Sequence, residues 1–205
     1  GALDFALALP ASSAELLVGT LSATLGEAKS PAACERHVGA ALASRGAGQA
    51  PLLTGLLAAS QGGEALAVLS RRLESSDLEI RKDALRSLGK WNGEAALVPL
   101  VLAARRERDA GAQTLAWRAV LDVVKRADKI VDFYQPISAI QQAVWHAPRR
   151  EEQVAALQAL PLYHPKAWEV EWLLTKVEAE KPELAEEAQA IKEALVPPFS
   201  GLLGR

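Results

Sequence analysis

Helix starts and stops recur from one end of this chain to the other, and nothing between them reads as a strand. There are no alternating β-branched runs around Asn-Gly turns, so the sequence predicts an all-α fold. Ser12-x-x-Glu15 and Ser76-x-x-Glu79 have the capping-box form, in which the Ser oxygen accepts from an amide of the first turn and the Glu reaches back. Pro31, Pro51, Pro136, Pro165 and Pro182 sit just after breaks, where a missing N–H costs nothing because first-turn amides have no intrahelical acceptor. Gly26, Gly46, Gly62, Gly89 and Gly111 are placed to close helices through a positive φ. The predicted spans are 12–25, 31–45, 50–60, 63–74, 77–89, 94–107, 112–126, 135–146, 150–160, 165–180 and 183–196, about eleven helices. Within them the apolar residues keep helical spacing, as in Ala84, Leu85 and Leu88, or Leu97, Val101 and Ala104, or Ala156, Leu157 and Leu160.

Each such stripe needs a neighbour to cover it, and 205 residues of which 50% are hydrophobic can supply a continuous core without disulfide or metal staples. Cys34 is the single cysteine, which excludes an intrachain disulfide and any multi-cysteine cluster and leaves the redox compartment open. The 23 basic and 25 acidic residues give a net charge of −2, which does not favour non-specific attraction to nucleic acid or an anionic membrane. The longest apolar stretches, Leu52 to Ala59 and Leu97 to Ala104, fall well short of the roughly 20 residues a membrane helix needs, and a soluble chain is expected. Gly1 to Phe5 carries neither an initiator Met nor a basic leader, so the chain reads as a piece of something larger; residues 197–205, opening Pro197-Pro198, read as a linker.

Gly63-Glu64-Ala65 and Gly93-Glu94-Ala95 share an opening thirty residues apart, a spacing typical of stacked helical repeats. Between them runs Asp77-x-x-Ile80-Arg81-x-x-Ala84-Leu85-x-x-Leu88-Gly89, whose second half recurs loosely at Ala156-Leu157-x-x-Leu160-Pro161. At these residues, best over 63–107, the chain resembles the short bacterial HEAT repeats of phycobilisome-lyase type. The resemblance implies a right-handed α-α superhelix over 1–196, with second helices lining a concave groove. It also implies that Asp77 caps the second helix and that Arg81 bonds within or between repeats, a structural pair rather than a ligand-binding one.

Candidate chemistry is sparse. Cys34 and His37 are three apart on one predicted helix, compatible with a metal or with a thiolate–imidazole nucleophile. A zinc site needs two further ligands, and His146 and His164 are remote in sequence, with no HExxH-like pattern to join them. Cys34 is more simply a small buried residue and His164 a helix-start residue before Pro165. No catalytic, metal or cofactor site is predicted. Residues 71–108 hold 9 basic against 6 acidic residues and residues 169–193 hold 3 against 8, a charge dipole along the chain that can steer a polar protein partner. Trp117, Phe133, Tyr134, Trp145, Tyr163, Trp168 and Trp172 lie in the second half, and burial is expected for most of them.

The reading that follows is a non-catalytic protein-interaction or scaffolding module, with Arg86, Arg118 and Gln158 on second helices as exposed contacts and Trp168 and Trp172, one turn apart, as rim anchors. The alternative is an enzyme resembling the HEAT-like alkylpurine DNA glycosylases, for which Trp117, Asp122, Trp145 and Arg149 are the nearest candidates. Trp117 and Asp122 are about 140° apart around a helix and cannot readily share a pocket. A third class, repeats that assist chromophore attachment, rests on the resemblance alone. Since no four-ligand constellation is present, a chelator is expected to leave the melting temperature unchanged. Stoichiometric zinc in the purified protein, with loss of structure on its removal, would contradict this.

Overall fold

The computed structural model describes residues 31–44, 50–126, 134–163 and 167–195, and these are helical with no strand among them. Ten α-helices follow one another: α1 Pro31–Ser44, α2 Ala50–Ser60, α3 Gly63–Arg72, α4 Leu78–Leu88, α5 Leu97–Arg106, α6 Ala110–Arg126, α7 Tyr134–His146, α8 Arg150–Ala159, α9 Ala167–Glu180 and α10 Ala185–Leu195. Each of the predicted spans from residue 31 onward coincides with one of them to within three residues at either end, α6 and α7 starting two residues and one residue earlier than predicted. The predicted helix 12–25, the Ser12 capping box, Gly26, Gly46, Pro165 and the tail 197–205 lie outside the described residues. No described helix is long and apolar enough to cross a membrane.

Proline and side-chain caps set the local boundaries. Pro31 opens α1, and Pro51 and Pro136 fall in the first turns of α2 and α7. Pro99 lies in the first turn of α5, which is preceded by a 3-10 turn over Glu94–Ala96. At Pro161, whose nitrogen carries no hydrogen, α8 gives way to a 3-10 turn over Leu160–Tyr163. The Ser76 capping box does not form. Asp77 is the N-cap of α4 instead, its Oδ1 accepting from Glu79 N at 2.9 Å and Ile80 N at 3.4 Å, as the family resemblance implies.

The glycine expectation is corrected at three positions. Gly62 has φ −94° and precedes α3, Gly89 has φ −59°, and Gly111 lies inside α6. Close approach explains the first two. A Cβ on Gly62 would lie 1.8 Å from Glu35 Oε1, and one on Gly89 would lie 3.0 Å from Ala119 Cβ, where α4 meets α6. Helix α6 starts at Ala110 and not at 112 because Asp109 Oδ1 caps it, accepting from Ala112 N at 2.8 Å. Positive φ occurs at Gly93, 94°, and at Gln61, 54°. Gln61 is held there by its own amide, which donates to Ala58 O and accepts from Asn92 N at 2.7 Å, so two equivalent turns of the thirty-residue spacing are tied together.

Packing divides the helices into two rows. The even-numbered helices α2, α4, α6, α8 and α10 form an unbroken series, each packed on the next. The odd-numbered row is interrupted: α1 packs on α3 and α5 on α7, whereas α3 and α5, like α7 and α9, touch at most at isolated points. Consecutive helices pack on each other except at α4–α5 and α8–α9. The described chain therefore has two seams, after α4 and after α8, bridged mainly by the even row. The core lies between the rows and contains Leu53, Leu56 and Leu57 of α2, Leu85 and Leu88 of α4, Trp117 and Val120 of α6, and Leu157 of α8. Leu85 is 1% exposed. Leu85→Ala is expected to destabilise by roughly 2–5 kcal/mol, the range for truncating a buried leucine, as measured by denaturant unfolding; a change near zero would place Leu85 outside the core.

Candidate functional site

At the first seam the separation of α3 from α5 leaves a groove of about 540 Å³. Leu85 of α4 forms part of its lining, with Leu73 after α3 and Pro99 and Leu102 of α5. Val98 and Leu102 are one helical turn apart and are 54% and 46% exposed, because no described helix covers this face of α5. The C-terminal end of α5 supplies Arg106 and Arg108 to the same groove.

One side of the groove is closed by an ion pair. Arg81 Nε donates to Glu107 Oε2 at 2.8 Å and Nη2 to Oε1 at 3.1 Å, a two-pronged contact across the seam. The third nitrogen, Nη1, donates to the carbonyls of Ser75 and Ser76 at 2.9 and 3.1 Å. Glu107 Oε1 also accepts from the Arg108 and Asp109 amides at 2.9 and 3.0 Å. Its carboxyl is held below the usual carboxylate range, chiefly by the Arg81 hydrogen bonds and against the opposing effect of burial, and the Arg81 guanidinium is raised correspondingly. Arg81 is thus a clamp between the α3–α4 and α5–α6 connections, in line with the structural role the resemblance implies. Glu107 was not singled out from sequence. The available signal was its position, thirty residues after Asp77.

The second seam is bridged differently. Trp145 of α7 donates Nε1 to Glu180 Oε2 of α9 at 2.9 Å, and Lys176 Nζ lies 5.3 Å from the ring centroids of both Trp145 and Trp172. On the even row Arg150 Nη2 contacts Glu187 Oε1 at 2.6 Å and the Glu183 carbonyl at 3.2 Å, joining α8 to α10.

Arg86, Arg118 and Gln158 are exposed on α4, α6 and α8, three successive helices of the even row, while Leu157 beside Gln158 is buried. Arg118 has a structural partner: its Nε donates at 2.8 Å to Glu152 Oε1, and Glu152 is buried. Trp172 is 56% exposed. The side chains of Trp168, Tyr134 and Tyr163, and all of Phe133, lie outside the described residues. Burial holds for Trp117, which is fully enclosed, and in part for Trp145, but not for Trp172.

The glycosylase candidates do not converge. Trp117 has no exposed face on which a base can stack, Asp122 is exposed, Trp145 is spent on the second seam and Arg149 precedes α8 on the surface. His146, at the end of α7, has its pKa lowered by burial and by the nearby charges of Arg105 and Lys181, surroundings that repel a cation. The side chains of Cys34 and His37, and His164, lie outside the described residues. No group of three metal-ligating side chains occurs among the described residues.

Neither a family model nor a curated protein nor a solved structure matches this chain.

The Glu107 carboxyl gives a test with a definite sign. A carboxylate depressed in the folded state contributes stability that is present above its unfolded pKa and lost as pH falls through the folded one. Glu107→Gln is expected to lower the melting temperature at pH 7 and to lessen the loss of stability on acidification below about pH 4.3. Equal melting temperatures at pH 7 would show that the clamp contributes nothing.

Proposed function

We propose that this chain is a non-catalytic protein-interaction module with HEAT-like architecture, helix hairpins stacked into a right-handed superhelix whose even-numbered helices line the concave, partner-facing side. The observation that carries the reading is the unbroken even row, α2 through α10, which gives a continuous surface where the odd row has gaps. Contacts confined to near neighbours in sequence and the thirty-residue spacing support the repeat architecture. Exposed charges of the even row are balanced on α4, with Glu79 and Arg86, net basic on α6, with Arg118, Lys125 and Arg126 against Asp122, and acidic on α10, with Glu186 and Glu193. Such a distribution favours a protein of complementary charge pattern over a uniformly charged polymer. The full burial of Trp117 weighs against the glycosylase reading.

The reading is tested by capturing a co-purifying protein with variants of the even row. Arg86→Glu, an exposed change at a residue with no ion pair among the described residues, is expected to alter stability by less than about 0.5 kcal/mol while reducing capture several-fold. Gln158→Arg is expected to act alike. Arg118→Glu is a poorer probe, since it also removes the partner of buried Glu152. If Arg86→Glu and Gln158→Arg both retain full capture, the even row is not the binding surface.

A further inference from the structure

We propose that the groove between α3 and α5 is a docking site for an acidic amphipathic helix of a partner protein, a surface that shares α4 with the even row but does not include Arg86 and is independent of that row's proposed role. Its apolar part is aliphatic. Leu73, Leu85, Pro99 and Leu102 contribute to the lining, and Val98 extends the strip by one turn along α5. A volume of about 540 Å³ is enough for side chains spaced along one helix face, and the one-turn interval between Val98 and Leu102 matches that spacing. A contiguous aliphatic strip rimmed by charged residues is a feature of docking surfaces.

The charges specify the partner. Arg81 and Glu107 neutralise each other, and both Glu107 oxygens are occupied by donors. Arg106 and Arg108, exposed at the same groove, form no ion pair among the described residues; Glu74 is the remaining carboxylate in the lining. A second cavity of about 540 Å³, between α1 and α3, is contiguous with the groove at Ser75, which lines both. There Arg36 is paired with Glu64, but Arg71 is exposed and Arg72 has a buried Nε with no acceptor. A segment crossing the ends of α3 and α5 therefore meets four arginines with no ion pair among the described residues, of which Arg72 also feels the charges of Asp83 and Asp77, while Glu74 is the one carboxylate of the groove lining outside the Arg81–Glu107 pair. Leucine-type residues of a helix fill the aliphatic strip, and its flanking carboxylates supply the missing acceptors. Nucleic acid fits less well, because the groove lining carries no aromatic ring on which a base can stack.

The test uses the full chain and two synthetic fluorescein-labelled helices, one with leucine on one face and glutamate elsewhere, the other with every glutamate replaced by lysine. Anisotropy titration at physiological salt is expected to show binding of the acidic helix and none of the basic one. Leu102→Asp, and separately the double change Arg106→Glu with Arg108→Glu, are expected to weaken binding at least tenfold with unchanged melting temperature. Arg86→Glu is expected to leave it unaltered, which separates this site from the even row. Equal binding of both helices, or binding indifferent to the groove variants, overturns the proposal. So does a DNA duplex that binds with the same variant sensitivity, since the arginines then serve phosphates. Sedimentation of the chain alone closes the last route: self-association abolished by Leu102→Asp makes the occupant a second copy and overturns the assignment to a partner.

Discussion

Every helix end leaves backbone N–H or C=O groups without intrahelical partners, and a chain of many short helices meets this problem at each turn. Carboxylates are the recurrent answer here. Glu35, buried on α1, reaches across to α3 and accepts from Ala65 N at 3.1 Å, and Gly62 leaves it the room to do so. Asp77 caps α4, Asp109 caps α6, and Glu107 accepts two amides just before α6 while holding Arg81. A negative charge at the positive end of a helix is favourable in itself. Where the charge comes from another helix, as with Glu35, the same contact also fixes how two helices sit together.

The seams show how this chain departs from a uniform stack. Across the first, contact on the odd side gives way to a groove, and the Arg81–Glu107 clamp takes over the task of joining the connections. Across the second, an indole–carboxylate hydrogen bond and a lysine between two indoles do so. Of the four large apolar side chains exposed among the described residues, Val98 and Leu102 border the first seam, while Trp172 and Leu162 follow the second. The interruptions of packing and the uncovered apolar surface thus share one cause.

Much of the helical layout was legible from local signals. Proline and Asp77 act within one turn of their own position, so sequence alone places the starts of α1, α2, α4 and α7 to within a few residues. The glycines misled because their role was steric. Gly62 and Gly89 matter for the atoms of Glu35 and Ala119, which belong to other helices and are invisible to a reading along the chain. The groove was illegible for the same reason. Val98 and Leu102 look like core residues of an amphipathic helix, and they are exposed because none of the described helices covers them. Arg118 shows the converse, a surface charge whose partner, Glu152, lies two helices further on.

The confinement of the main helix contacts to first and second neighbours also bears on how the chain acquires its structure. Ordering two helices close in sequence closes only a short loop, whose entropic cost is small, and chains dominated by such contacts fold quickly. Among the described helices, α1, α2 and α3 have their main packing within the first four, so these can begin to assemble before α6 arrives to cover the remaining face of α4. The contact order allows growth along the chain, α6 docking on α4 and α10 on α8, with the even row as a template for later segments. Directional assembly of this kind keeps exposed apolar surface brief and local during synthesis, a kinetic benefit that follows from the order of the contacts and owes nothing to the depth of the final energy minimum.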